Sequence, residues 1–300
     1  MQNPPSFAVV LAAYNGMAWI AEQVDSILQQ SGVSVTIYIS VDESTDGTLA
    51  WCQARSEDES RVIVLPSAGR FGGAAKNFFR LIREVDFSGF DYLALADQDD
   101  VWLEDKLISA HEKMTEKGVS GYSGSVTAFW ADGRKMLIDK AQSQKKYDFL
   151  FEAAGPGCTY VLKGSDALLL KRFLLNNKVS VDEVALHDWL IYAWYRANGL
   201  AWYIDSSPKM LYRQHEGNQV GANSGIKAMI SRFKLLRAGW YRAEVSKIAS
   251  LLDEHLSDVP KTLADNGDVP RLFLIENLSD LRRRFRDRVF LMFIVVFGIY

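Results

Sequence analysis

The chain is poor in cysteine, carries no excess of positive charge and contains no apolar run long enough to cross a bilayer. Cys52 and Cys158 are its only cysteines in 300 residues. They lie far apart, without metal-ligand spacing, and reduced thiols are favoured over a disulfide. Lysine and arginine total 34 against 37 aspartates and glutamates, a formal net charge of −3. That balance gives no basis for a nucleic-acid binder. The start, "MQNPPSFAVVLAAYN", has no basic n-region and no cleavage pattern, so a cytoplasmic protein is expected. The apolar stretch from Val289 to Tyr300 has 12 residues, whereas a spanning helix needs about 20. With the basic "RRRFRDR" before it, two readings stay open. One is peripheral association with the inner face of the cytoplasmic membrane. The other is a core or homo-oligomer-interface helix whose basic first half is solvated. Walker, GxGxxG and HExxH motifs are absent.

What is present is a regular alternation of strands and helices. Apolar runs at Phe7–Tyr14, Val35–Asp42, Arg61–Pro66 and Phe90–Asp97 read as buried strands. Between them, Met17–Gln30, Thr48–Asp58 and Phe78–Val85 carry apolar residues at helical spacing. This rhythm predicts a parallel α/β sheet with helices on both faces, and ligands bind outside the carboxyl ends of such strands. Tyr14, Asn15, Asp42 and Asp97 all fall there. Beyond residue 120 the rhythm loosens into short strands and two helices, and from about Ile226 it turns helical, alternately basic and apolar.

The segment "LADQDDVW" (Leu95–Trp102) sets three carboxylates within four positions. Two carboxylates about 4 Å apart cost roughly 4 kcal/mol at an effective dielectric near 20. Asp97, Asp99 and Asp100 therefore call for a positive partner. Oxygen ligands suit Mg²⁺ or Mn²⁺, which usually also bind substrate phosphates. Gly69, Gly72 and Gly73 read as a loop before a helix, from which Arg70 and Lys76 can approach those phosphates.

"VVLAAYNG", "VDESTDGT", "GGAAKNF" and "LADQDDVW", with the later "GCTYVL", "HDW" and "YRQHEGN", resemble in order and spacing the family 2 glycosyltransferases with a GT-A fold. The wording is most similar to a bacterial branch of rhamnosyltransferases for surface polysaccharide. The resemblance covers roughly residues 7–222. It implies a Rossmann-like nucleotide-binding half (1–118), a mixed-strand acceptor half (119–222) and a C-terminal helical extension (223–300). It implies an inverting, metal-dependent enzyme using a UDP- or dTDP-linked sugar and a glycan or lipid-linked glycan acceptor.

By that resemblance Ala13, Tyr14, Asn15 and Asp42 grip the base and ribose, with Lys76 and Asn77 nearby. Asp97 reaches the ribose, Asp99 is the main ligand of Mn²⁺ or Mg²⁺, Asp100 is secondary, and His215 completes the metal or diphosphate contacts. Asp188 of "HDW" is the general base; read alone it would simply cap the helix that follows. His187 stands where the family often has Glu. Arg213 neutralises the leaving diphosphate, Gly157 and Cys158 shape the acceptor pocket, and Trp102 and Trp189 either stack on sugars or belong to the core. A nucleotidyltransferase and a non-catalytic sugar- or nucleotide-binding module are the rival readings.

Overall fold

The computed structural model describes residues 3–215, 239–260 and 271–296. The first half follows the expected alternation: β1 (Ser6–Ala13), α1 (Ile20–Leu28), β2 (Ser34–Val41), α2 (Thr48–Asp58), β3 (Val62–Val64), α3 (Ala74–Glu84) and β4 (Tyr92–Asp97). β1 lies between β2 and β4, parallel to both, and β3 extends the sheet beyond β2. Side chains alternate across β1. Ala8 and Val10 pack into the core on one face, while Phe7, Val9 and Leu11 enter the core on the other. Both faces are thus buried, which explains the unbroken apolar runs.

The register fixes the site. Ala12 pairs with Asp97 and Ala13 with Val41, so the chain leaves β1, β2 and β4 at one level. The second half departs from the simple parallel rhythm. β9 (Val161–Lys163) inserts antiparallel between β4 and β6 (Gly121–Gly124), and β10 (Trp202–Asp205) closes that edge parallel to β6. A second sheet holds β5 (Val101–Trp102), β11 (Met210–Arg213), β7 (Val126–Phe129) and β8 (Lys135–Ile138) in that order. β7 and β8 form the hairpin expected around Asp132-Gly133. The remaining helices before residue 215 are α4 (Lys106–Lys117), α5 (Gly164–Asn176), α6 (Lys178–Val181) and α7 (His187–Ala197).

Past residue 238 lie α8 (Trp240–Leu251), α9 (Arg271–Glu276), α10 (Leu278–Leu281) and α11 (Phe285–Val296). Val245, Ile248, Leu274, Leu281, Leu291 and Ile294 join the core that holds α3, α5 and α7. These helices therefore share that core; the boundary drawn at residue 222 lies outside the described residues. The basic run is not uniformly solvated. Arg283 is buried, donating to Asp148 at 3.1 Å and to the Ala153 carbonyl. Asp148, fully buried, also accepts from Arg196 and Tyr192. Breaking such a buried ion pair typically costs about 3–5 kcal/mol, so the network clamps the C-terminal helices to the 148–153 segment.

Candidate active site

A cleft of about 970 Å³ opens at the carboxyl ends of β1, β2 and β4. The loop after β1 forms one wall and is braced by Gln98, which accepts from the Tyr14 N–H at 2.7 Å and donates to its carbonyl at 2.8 Å. Ala13 and Tyr14 line the cleft. Asn15 does not; at φ +44° it is a turn residue whose side chain accepts from the Thr45 N–H. Asp42 lines the cleft with both oxygens engaged, receiving the N–H groups of Phe71, Gly72 and Glu43 at 2.8–3.0 Å. Gly72, at φ +76°, lets the glycine-rich loop fold onto that carboxylate. Arg70 and Asn77 line the cleft, and the buried Asn77 Oδ1 has no hydrogen-bond partner among the described residues. Lys76 stands exposed on α3, outside it.

The acidic loop forms the floor. Asp97 and Asp99 line the cleft, and Asp99 Oδ2 meets His215 Nε2 at 2.7 Å. Trp19, which sequence reasoning missed, stacks on the His215 ring at 4.0 Å. Burial, with the charges of Asp99 and Asp188, pushes Asp97 up to about 7. Asp100 is fully buried and held well above the usual carboxylate range by burial and by Asp99. It accepts the Arg213 N–H at 3.2 Å, and its Oδ2 has no hydrogen-bond partner among the described residues. The buried Lys106 Nζ lies 3.4 Å from the Trp102 ring centroid with no hydrogen-bond partner among the described residues; burial pushes it down to about 7, with Cys158 and Asp100 acting more weakly in the opposite sense.

Asp97, Asp100 and Cys158 bring one ligand atom each within 4.8 Å of one another. Burial and Asp100 hold the Cys158 thiol well up, so it stays protonated and is a poor ligand. The carboxylates, with the orphaned Asp100 oxygen and the imidazole beside Asp99, are a donor set that fits a divalent cation.

The opposite wall comes from the second half of the chain, around the start of α7. Asp188 lies in the first turn of α7, while Leu186 holds the N-cap position, so Asp188 is not the cap. Its Oδ1 accepts the Trp189 N–H at 2.8 Å, and burial pushes the carboxyl up to about 6. His187 is pushed down to about 3 by burial and stacks on Phe78 at 4.1 Å, a neutral packing element. Gly157 permits this contact, because a Cβ there would lie 2.4 Å from His187 Nε2 and 3.3 Å from Asp188 Cβ.

Among the expected site residues, Asn15, Lys76, Cys158 and Arg213 do not line the cleft, and Trp102 and Trp189 take the core alternative. Trp102 and Trp189 are core residues outside the cleft; Trp189 stacks on Tyr241 and donates to the Phe149 carbonyl. Arg213 does not line the cleft. Its guanidinium binds the Asp99 carbonyl at 2.7 Å and Glu22, which positions the acidic loop. The cleft instead recruits Lys140, Tyr241 and Arg282–Arg284, which no local motif announced.

The family profile described as Glycosyl transferase family 2 matches residues 8–174. The dTDP-rhamnosyl transferase RfbG of Shigella flexneri is 44% identical over 291 residues, covering 97% of this chain and 100% of that protein. The UDP-Glc:alpha-D-GlcNAc-diphosphoundecaprenol beta-1,3-glucosyltransferase WfgD of Escherichia coli is 23% identical over 172 residues, 56% of this chain and 61% of that one. Among solved structures, S. aureus TarS 1-349 aligns with a TM-score of 0.53 at 14% identity, covering 92% of this chain and 80% of that one. The mannosyltransferase PcManGT of Pyrobaculum calidifontis, in complex with GDP-Man and Mn²⁺, aligns with a TM-score of 0.50 at 15% identity, covering 100% and 88%.

Proposed function

The chain belongs to glycosyl transferase family 2, and from that premise we propose that it moves a rhamnosyl group from a dTDP-linked donor to a hydroxyl of a bacterial surface glycan, inverting the anomeric carbon. That it is a nucleotide-sugar glycosyltransferase of GT-A fold follows from the family and the 44% identical relative. The dTDP-linked donor is favoured because that relative spans nearly the whole chain, whereas the relative whose name carries UDP-Glc is 23% identical.

The observation that carries the mechanism is a pair of facing walls. Asp188 stands on one, Asp97 and Asp99 on the other, near enough that Asp188 raises the Asp97 pKa. The base and ribose take the Ala13, Tyr14 and Asp42 side. The acceptor hydroxyl donates to Asp188 Oδ2, since Oδ1 is held by the Trp189 N–H. As the acceptor oxygen bonds to the anomeric carbon, its proton passes to Asp188. The bond from that carbon to the diphosphate oxygen breaks, and its electron pair leaves with the diphosphate. A base of this kind contributes roughly 10²–10⁴-fold. Asp99 and His215, with Asp97 and Asp100 beside them, would hold Mn²⁺ or Mg²⁺, which when bound neutralises the diphosphate. Arg70 lines the same side for the leaving phosphates.

The C-terminal helix favours a location against an anionic membrane surface. Among the described residues no helix is long and apolar enough to cross a membrane. On α11, however, Phe285, Val289, Met292, Phe293 and Val296 are exposed at helical spacing, forming one apolar stripe. The exposed Arg286 stands near its start, as an anionic headgroup layer requires.

Thermal unfolding with dTDP, UDP and GDP, with and without Mn²⁺, tests the donor side. A ligand at 100 times its dissociation constant stabilises by about 2.7 kcal/mol. A metal-dependent rise with dTDP alone is expected; the same rise with UDP or GDP and none with dTDP would refute the dTDP assignment.

A further inference from the structure

The cleft carries an acidic cluster at one end, and at the other it carries Lys140 and Arg284, which meet no carboxylate among the described residues. Lys140 follows β8 and packs its side chain against Gly155, two residues before the glycine that abuts Asp188. Its backbone N–H donates to Ser125 Oγ at 3.1 Å, but its ammonium makes no ion pair or hydrogen bond among the described residues. Burial, then the charges of Arg284 and Arg283, lower its pKa, while Glu152 and Asp188 act more weakly in the opposite sense. Arg284 lines the cleft beside it and is held by neutral groups, the Gln142 Oε1 at 3.0 Å and the Asp139 carbonyl.

The neighbouring charges are already matched. Arg283 binds Asp148 and Glu152, Arg282 lies 3.7 Å from both Glu152 and Asp287, and Arg286 meets Asp287 at 3.4 Å. Two like charges side by side in a partly desolvated cleft are unfavourable until an anion joins them. An ammonium beside a planar guanidinium suits phosphate oxygens, the guanidinium binding them in bidentate fashion. Just beyond, the lining turns apolar through Phe290, Leu291 and Ile294 of α11. The favoured ligand therefore has an anionic head and an apolar continuation.

We infer that Lys140 and Arg284 form an anion subsite on the acceptor side of Asp188 that holds the diphosphate group of a lipid-linked acceptor. This rests on the reading of the cleft as a transferase site in which the acceptor lies opposite the acidic loop. The subsite sets the distance from the acceptor's diphosphate to the hydroxyl presented to Asp188, so it selects acceptors by the length of glycan between them.

Calorimetric titration of the full chain, with dTDP and Mn²⁺ present, by farnesyl diphosphate, inorganic pyrophosphate and farnesol tests the subsite. Farnesyl diphosphate is expected to bind, and Lys140→Gln and Arg284→Gln are each expected to weaken it about tenfold, the value of one charge-assisted contact. Lys140→Arg is expected to retain binding. An unchanged dTDP affinity in the variants reports an intact fold. Pyrophosphate binding as tightly as farnesyl diphosphate, with the same loss in the variants, would keep the diphosphate subsite and overturn its lipid-linked source. Equal farnesyl diphosphate affinity in wild type and both variants, or farnesol binding as well as its diphosphate, would overturn the inference. Failure of the wild type to bind dTDP would count against the donor assignment alone, because the variants' response to farnesyl diphosphate is read separately.

Discussion

The imidazole of His215 meets the carboxylate of Asp99 at 2.7 Å although 116 positions of chain separate them. A contact of that span arises because β11 ends beside the acidic loop, its Arg213 N–H binding Asp100. Asp99→Ala is expected to abolish the Mn²⁺-dependent part of dTDP binding. His215→Ala is expected to weaken metal affinity about 10–100-fold, the usual loss for a partner that orients a ligand. Titration of Mn²⁺ at fixed dTDP checks both, and an unchanged Mn²⁺ midpoint in both variants would remove this pair from the metal site.

Asp188 gives a pH prediction with a defined sign. Burial raises its folded pKa from 3.8 to about 6, and a base must be ionised, so kcat is expected to fall as pH drops through about 6. The same shift has a stability consequence. Between the unfolded and folded values the native state binds the extra proton, so the contribution is full below about 4 and is lost as pH rises through about 6. Asp188→Asn is therefore expected to stabilise the protein at pH 7.5 by up to about 3 kcal/mol while removing turnover. A variant that loses both stability and activity would argue for a structural carboxylate.

Gly157→Ala tests how the base is held. The added Cβ collides with the His187 ring, which is already stacked on Phe78. Overpacking costs about 1–3 kcal/mol, and the displaced start of α7 carries Asp188 with it. The expected result is a large fall in kcat with little change in dTDP affinity, read by steady-state kinetics and calorimetry. Wild-type kcat in this variant would mean that the Gly157 contact does not position the base.

Arg283→Met leaves Asp148 with one arginine partner where it had two. Urea unfolding is expected to lose about 3–5 kcal/mol. A loss below about 1 kcal/mol would show that the network does not hold the C-terminal helices.

Charge placed on the apolar stripe of α11 tests the membrane assignment. Phe293→Glu together with Phe285→Glu is expected to abolish flotation with anionic vesicles and to leave dTDP binding intact. Equal flotation of wild type and variant would remove the stripe from membrane contact.

The first half of the chain was legible because its parallel strands are apolar runs that give way to polar residues, placing Tyr14, Asp42 and Asp97 at one edge. β9 was harder to read. Three residues, Val161–Lys163, run antiparallel between strands distant in sequence, and no local period announces that. Asp188 was singled out through resemblance, since its local pattern equally suits a cap. Trp102 and Trp189 stayed open between sugar and core because an aromatic near a site has the same sequence whether it faces ligand or core. Lys140 and Arg284 were invisible, because only the folded chain brings the hairpin and the C-terminal helices to one wall.

Release of dTDP from dTDP-rhamnose in the presence of an acceptor, by the wild type, Asp188→Asn and Asp99→Ala, tests the central claim most directly. The wild type is expected to form a rhamnosyl product in a metal-dependent reaction. Asp188→Asn should bind the donor but turn over about 10²–10⁴-fold more slowly, and Asp99→Ala should lose metal dependence and activity together. Wild-type turnover by Asp188→Asn would contradict the account of two facing walls acting on one sugar.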